Sequence, residues 1–191
     1  PNIFSDVDGS YRGTDLKTHN NIDFNNYTVF SLWDTYRATH PLFTIIDQER
    51  TLDFIHTFIN QYKLGGQLPI WELAGTYTGC MIGYHSIPVI VDAFKKGIVD
   101  FDIETAYKAM LHSANQNHLG LDSYKKNGFI AANDEPESVS KTLEYAYDDW
   151  CIAQMAKDLG KEEDYLRFIE RAQSYKNIFD PNTGFMRAKM N

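Results

Sequence analysis

Apolar residues recur along this chain at intervals of three and four, the spacing that lays side chains along one face of an α-helix. Val29, Leu32, Trp33 and Tyr36 open the pattern within residues 27–46, where Pro41 is expected to interrupt it. Leu52, Ile55, Phe58, Ile59 and Tyr62 form the next stripe, between Asp47 as N-cap and Gly65-Gly66 as stop. Further helices are predicted over 87–96 and over 100–117, the latter with Ile103, Ala106, Tyr107, Met110 and Leu111 inward. A long helix follows to Gly160, with Ser138 or Ser140 as its cap, and a last one covers 161–179, ended by Asp180-Pro181. Residues 1–26 read as loops with a short hairpin, and 118–137 as a loop. No strand-rich stretch supports a parallel sheet. The fold class expected is therefore all-α with an irregular N-terminal segment.

Three predicted helices end alike, in YKLGG, FKKGI and AKDLGK. Lysine there complements the helix dipole and glycine supplies the left-handed cap. Helix after helix with short connections fits a toroid or solenoid of helix pairs. Between the helices lie chemically rich stretches: SLWDTYRATHP, LPIWELAGTYTGCMIGYH, HLGLDSYKKNGFIAANDEPES and EYAYDDW. Loops on a rigid scaffold are where function concentrates.

Composition narrows the partners. Net charge is −8, which argues against nucleic acid, since phosphate binding needs clustered Lys and Arg. No apolar run approaches ~20 residues, so no membrane span is predicted. The opening PNIFSDVDGS is neither a signal peptide nor an initiator Met, which leads us to expect a processed product or a fragment. Cys80 and Cys151 fit no disulfide framework or zinc pattern and read as buried free thiols. SDVDGSYRGTD lacks the calcium-loop spacing and reads as turns. There is no HExxH, nucleophile elbow or glycine-rich phosphate loop. Aromatics make 14% of the chain, and several stand beside Asp, Glu or Asn. Flat rings next to carboxylates and amides suit a polar ligand with apolar faces, such as a sugar.

Four places carry candidate chemistry. Glu72 lies between Trp71 and Leu73. A carboxyl held against an indole has its protonated form favoured, as a general acid requires; the alternative is a structural Glu that caps a helix or pairs with Arg. Asp34 and Arg37 share a helix face beside Trp33, either as a salt bridge or as a grip on sugar hydroxyls with the indole as platform. Asp148 and Asp149 precede Trp150, where neither acid can be wholly buried without a partner; the alternative there is one solvated and one helix-bonded Asp. His85 and His118 complete the set.

The stretches Ser31–Asp47, Leu68–Gly97 and Glu137–Gly160 together resemble glycoside hydrolase family 92, exo-acting α-mannosidases, and the likeness runs from Asp6 to Lys189. The resemblance implies a calcium-dependent, inverting hydrolase of terminal α-linked mannose, of α-1,2-mannosidase type, acting on mannose-containing glycans. It implies that residues 1–191 are part of an (α/α)6 catalytic barrel. The N-terminal β-sandwich and the rest of the barrel would belong to the remainder of the polypeptide. Inversion needs an acid and a base roughly 6.5–9.5 Å apart. Glu72 matches the family's acid, and the base is expected beyond Asn191, so that these residues alone are expected to be inactive. No metal ligands are placed. Trp33, Asp34, Arg37, Trp71, His85, His118, Asp148 and Asp149 are the expected substrate-binding residues. Export to the periplasm or the exterior is usual in the family. Two rivals stand beside this reading: a non-catalytic carbohydrate-binding helical domain, and a helical scaffold for protein partners.

Overall fold

In the computed structural model, residues 1–20 and 23–191 are described. About half of the chain is helical. Among the described residues there are eight α-helices and nine short strands, paired into four small sheets. The mainly helical expectation holds, and the sheets correct its all-α form. The chain divides into two compact units, residues 1–81 with 85–113, and residues 82–84 with 114–191.

The first unit holds β1 (Asn2–Ile3), β2 (Ser10–Arg12), β3 (Thr18–Asn20), β4 (Tyr27–Thr28) and β5 (Phe30–Ser31). Then come α1 (Leu32–Thr35), α2 (Thr39–Ile46), α3 (Gln48–Gly65), β6 (Trp71–Leu73), β7 (Thr76–Tyr77), α4 (Ser86–Lys95) and α5 (Ile103–Asn115), the last belonging here up to Ser113. The predicted N-terminal hairpin is β2–β3. Helix α3 begins and ends as its sequence dictates. The Asp47 carboxylate accepts the Arg50 N–H at 3.1 Å, and Gly66 closes the helix at φ +77°.

Its inward face, with Phe54, Ile55, Phe58 and Ile59, carries the core of this unit. Phe30 meets Phe54 and Phe58 edge-on at 5.7 and 4.9 Å, a geometry worth about 0.5–1.5 kcal/mol per pair beyond area burial.

Two expectations about residues 27–46 are corrected. Residues 27–28 and 30–31 are strand, β4 paired with β1 and β5 with β6, and Val29 between them is left-handed at φ +65°. Helix begins only at Leu32. Pro41 does not interrupt α2 but sits in its first turn, where its missing N–H would have had no intrahelical partner anyway.

The second unit holds α6 (Leu121–Asn127), α7 (Ser138–Asp158), α8 (Glu162–Arg171), a 3-10 segment (Ala172–Ile178), and the hairpin β8 (Phe179–Asp180) with β9 (Phe185–Met186). Helix α7 packs on α8 and on the 3-10 segment, around Tyr124, Tyr145, Ile152, Met155 and Phe168. Here too the sequence reading needs correction. The expected loop contains α6, a helix of seven residues bracketed by left-handed Gly120 and Gly128, too short to show a periodic stripe. Neither serine caps α7: Glu137 precedes it with φ +58° and Ser138 is its first residue. The last α-helix stops at Arg171 and tightens into 3-10 turns before Phe179.

Candidate active site

The register of one sheet organises the site. Phe30 opposes Glu72 and Ser31 opposes Trp71; Glu72 opposes Tyr77 and Leu73 opposes Thr76. The β6–β7 hairpin turns through Ala74 and Gly75, both left-handed at φ +50° and +73°, as a two-residue hairpin loop requires. A Cβ on Gly75 would lie 2.9 Å from the Arg12 carbonyl oxygen, so glycine is needed there for space as well as for φ.

Side chains alternate along a strand. Trp71 and Leu73 therefore point to one face and Glu72 to the other, matching their half-buried, exposed and buried states. This corrects the expectation that the Trp71 indole shields Glu72.

Glu72 is 2% exposed and is enclosed instead from the first unit's interior. It lines a pocket of about 200 Å³ together with Thr14, Gln61, Gln67, Leu68 and Tyr77. Its Oε1 accepts the Gly75 N–H at 2.5 Å and the Thr28 hydroxyl at 3.1 Å. The Thr28 oxygen in turn accepts the Ala74 N–H at 2.6 Å. Oε2 is buried with no hydrogen-bond partner among the described residues. Burial raises the Glu72 carboxyl above the ordinary range; the bonds from Gly75 and Thr28, and the nearby Gln61 side chain and Val29 backbone, oppose that shift.

The other candidates of the first unit gather apart from Glu72. Asp34 is exposed and accepts the Ser31 hydroxyl, which ties it to the face that Trp71 shares. Arg37 lies 4.8 Å over the Tyr36 ring and 5.7 Å over the Trp33 ring. Tyr36 stacks on the fully buried His85 at 4.3 Å between centroids. From the sequence Tyr36 reads only as a member of the apolar stripe with Leu32 and Trp33.

Asp148 and Asp149 are corrected more sharply. Both are fully buried in the second unit, so neither reaches a sugar-facing wall, and neither is solvated. Asp148 accepts the Tyr84 N–H at 2.8 Å. Asp149 accepts the hydroxyls of Tyr84 at 2.7 Å and Tyr124 at 3.0 Å, and Arg171 through Nε at 2.9 Å and Nη2 at 3.2 Å. Burial pushes Asp149 up to about 6, opposed by Arg171 and the two phenols. The pair Asp149–Arg171 is structural. His118 is exposed in the same unit. Cys151 is buried as expected, whereas Cys80 is exposed.

The family resemblance implied calcium. Among the described residues, no group of three or more His, Cys, Asp or Glu side chains is arranged so that it could hold a metal ion. These residues by themselves thus lack the carboxylate-rich oxygen cage that calcium takes, and no chemical step is assigned to the ion here.

Comparison with known proteins bears on this arrangement. The model of the glycosyl hydrolase family 92 catalytic domain matches residues 1–191. The fold is similar to a family 92 alpha-mannosidase from Bacteroides thetaiotaomicron solved with mannoimidazole, with TM-score 0.94 and 48% identity over 99% of this chain and 25% of that one. A family 92 inverting mannosidase from the same organism gives 0.91 and 37%, over 100% and 27%. An uncharacterized secreted glycosidase of Arthroderma benhamiae is 29% identical over 172 residues, 81% of this chain and 22% of its own length. The chain thus spans about a quarter of the proteins it matches.

Proposed function

Since the chain belongs to glycosyl hydrolase family 92, we propose that it forms part of the catalytic domain of an α-mannosidase that releases terminal α-linked mannose from a glycan. The two solved mannosidases support the substrate, and the inverting relative supports inversion at the anomeric carbon. The helices are read as part of an (α/α)6 barrel completed by a longer polypeptide. Calcium dependence and α-1,2 specificity are carried into the proposal from the family resemblance. The secreted relative supports export.

In the mechanism, Glu72 is the acid. One observation carries that assignment: a buried carboxyl, shifted toward its protonated form, stands among the residues that line a pocket. The carboxyl proton would pass to the glycosidic oxygen while water attacks the anomeric carbon from the far side, activated by a base outside the described residues. The mannose ring then sits on the Glu72 face. Asp34 and Trp71, on the opposite face, take no part in holding that same ring.

A second reading has its own observation. Oε1 bonds to the β6–β7 turn, so Glu72 could serve as the lock of that hairpin, with the sugar on the Trp71–Asp34 face. Glu72→Gln in the full polypeptide separates the two, because the amide keeps an oxygen for the turn and loses the acid. Loss of mannose release from an α-1,2-linked disaccharide with an unchanged melting temperature supports the acid. Full retention assigns the lock.

A further inference from the structure

We propose that the outward face of α2, formed by Leu42, Ile45 and Ile46, is the seat of an apolar segment of the same polypeptide that lies outside residues 1–191. The proposal rests on the reading of this chain as part of a longer polypeptide, and it asks nothing of Glu72.

A surface helix ordinarily turns its apolar residues inward and its polar ones outward. Helix α2 reverses that order. Its buried residues are His40 and Thr44. His40 lies edge-on to Phe54 and Phe58 at 5.2 and 6.4 Å, and the Thr44 hydroxyl accepts the Lys96 ammonium at 2.8 Å. With that side committed to α3 and α4, the aliphatic residues are turned to the surface: Leu42 is 52% exposed, Ile45 75% and Ile46 64%. Spacings of three and four place them on one patch. Among the described residues, no other helix of the first unit exposes a large apolar side chain. Single exposed apolar residues are ordinary on a protein surface; a contiguous aliphatic face marks a contact.

Size and charge select the occupant. Helix α2 contains no Asp, Glu, Lys or Arg, so the patch suits an apolar surface and not an acidic or basic one. Three side chains fall far short of the roughly 20–30 residues a side that hold separate proteins together, which counts against a second copy. A segment of the same polypeptide needs no such area, because the tether itself supplies an effective concentration on the order of millimolar. This fold makes up 25% and 27% of the two solved mannosidase chains, so about three quarters of such a chain is at hand to provide that segment.

The test uses the full polypeptide carrying Ile45→Cys, with maleimide labelling at that position read by mass spectrometry in buffer and in urea. A docked segment should slow labelling of the native protein more than about tenfold, by the same factor at every protein concentration. A p-benzoylphenylalanine probe at Leu42 should then cross-link to a peptide of the same molecule from outside residues 1–191. A smaller slowing overturns the proposal. So does protection that grows with protein concentration, which assigns the face to a second copy, and so does the absence of any cross-link to such a peptide. If Ile45→Cys does not fold, hydroxyl-radical footprinting of Leu42, Ile45 and Ile46 in the unaltered polypeptide reads the same protection with the same outcomes. Mannose release by the unaltered polypeptide reports the hydrolase reading separately: an active enzyme with an unprotected face sinks the docking alone, and an inactive one with a protected face sinks the hydrolase alone.

Discussion

Trp71 and Glu72 are neighbours in sequence and face opposite sides of the same strand, the indole half-buried on one and the carboxyl enclosed on the other. The pairing of Ser31 with Trp71 and of Phe30 with Glu72 fixes that division. Chemistry that looked contiguous along the chain is split between two surfaces.

The first prediction concerns the carboxyl itself. With Glu72→Gln, kcat should fall about 10²–10⁴-fold, the range for a lost general acid, while the fold persists. Glu72→Ala also strips the acceptor from the Gly75 N–H and the Thr28 hydroxyl. It should lower stability by about 1–3 kcal/mol as well. Steady-state kinetics and urea unfolding of the full polypeptide read both effects.

A turn provides a paired contrast. Ala74→Gly removes the left-handed strain at φ +50° and should stabilise by about 1 kcal/mol. Gly75→Ala drives a Cβ against the Arg12 and Gly13 carbonyls at 2.9 and 3.3 Å, backbone atoms that cannot swing aside. It should destabilise the protein and shift the hairpin. Thermal unfolding of the two variants should therefore move in opposite directions.

Stability should respond to acid through His40. Burial lowers its pKa from 6.5 to about 4, it lies edge-on to Phe54 and Phe58, and neither ring nitrogen has a partner among the described residues. The folded state thus prefers neutral His40. Its contribution is complete above the unfolded pKa, 6.5, and is lost as pH falls from there toward 4. The loss should reach about 3 kcal/mol. His40→Leu should flatten that part of the stability–pH curve, measured by chemical denaturation.

The Asp149–Arg171 pair makes the last prediction. Asp149→Asn leaves a buried guanidinium without its counter-charge and should cost about 3–5 kcal/mol. Replacing both partners by apolar residues should cost less than either single change, which a double-mutant cycle would show.

How much of this was legible in the sequence varies with the distance over which each feature is decided. Asp47 as N-cap and Gly66 as stop needed only residues within a few turns of one another, and those readings stand; of the α3 stripe Ile55, Phe58 and Ile59 are buried, Leu52 and Tyr62 are half-buried, and Phe54 joins the buried face. Helix α6 escaped because seven residues cannot display a period of 3.6, although its two flanking glycines were visible. The family was legible from long motifs in order, and the match over residues 1–191 agrees.

The sequence by itself determined where most helices run, where they stop, and to which family the chain belongs, because caps, periodicity and motif order are local or linear properties. Only the tertiary structure decided which way Glu72 faces and what holds it, since Thr28 lies 44 positions away. It likewise buried Asp148 and Asp149, whose partner Tyr84 stands 64 and 65 positions off. A carboxylate's role follows from the donors and the dielectric around it. Those are set by which distant segments the fold brings together.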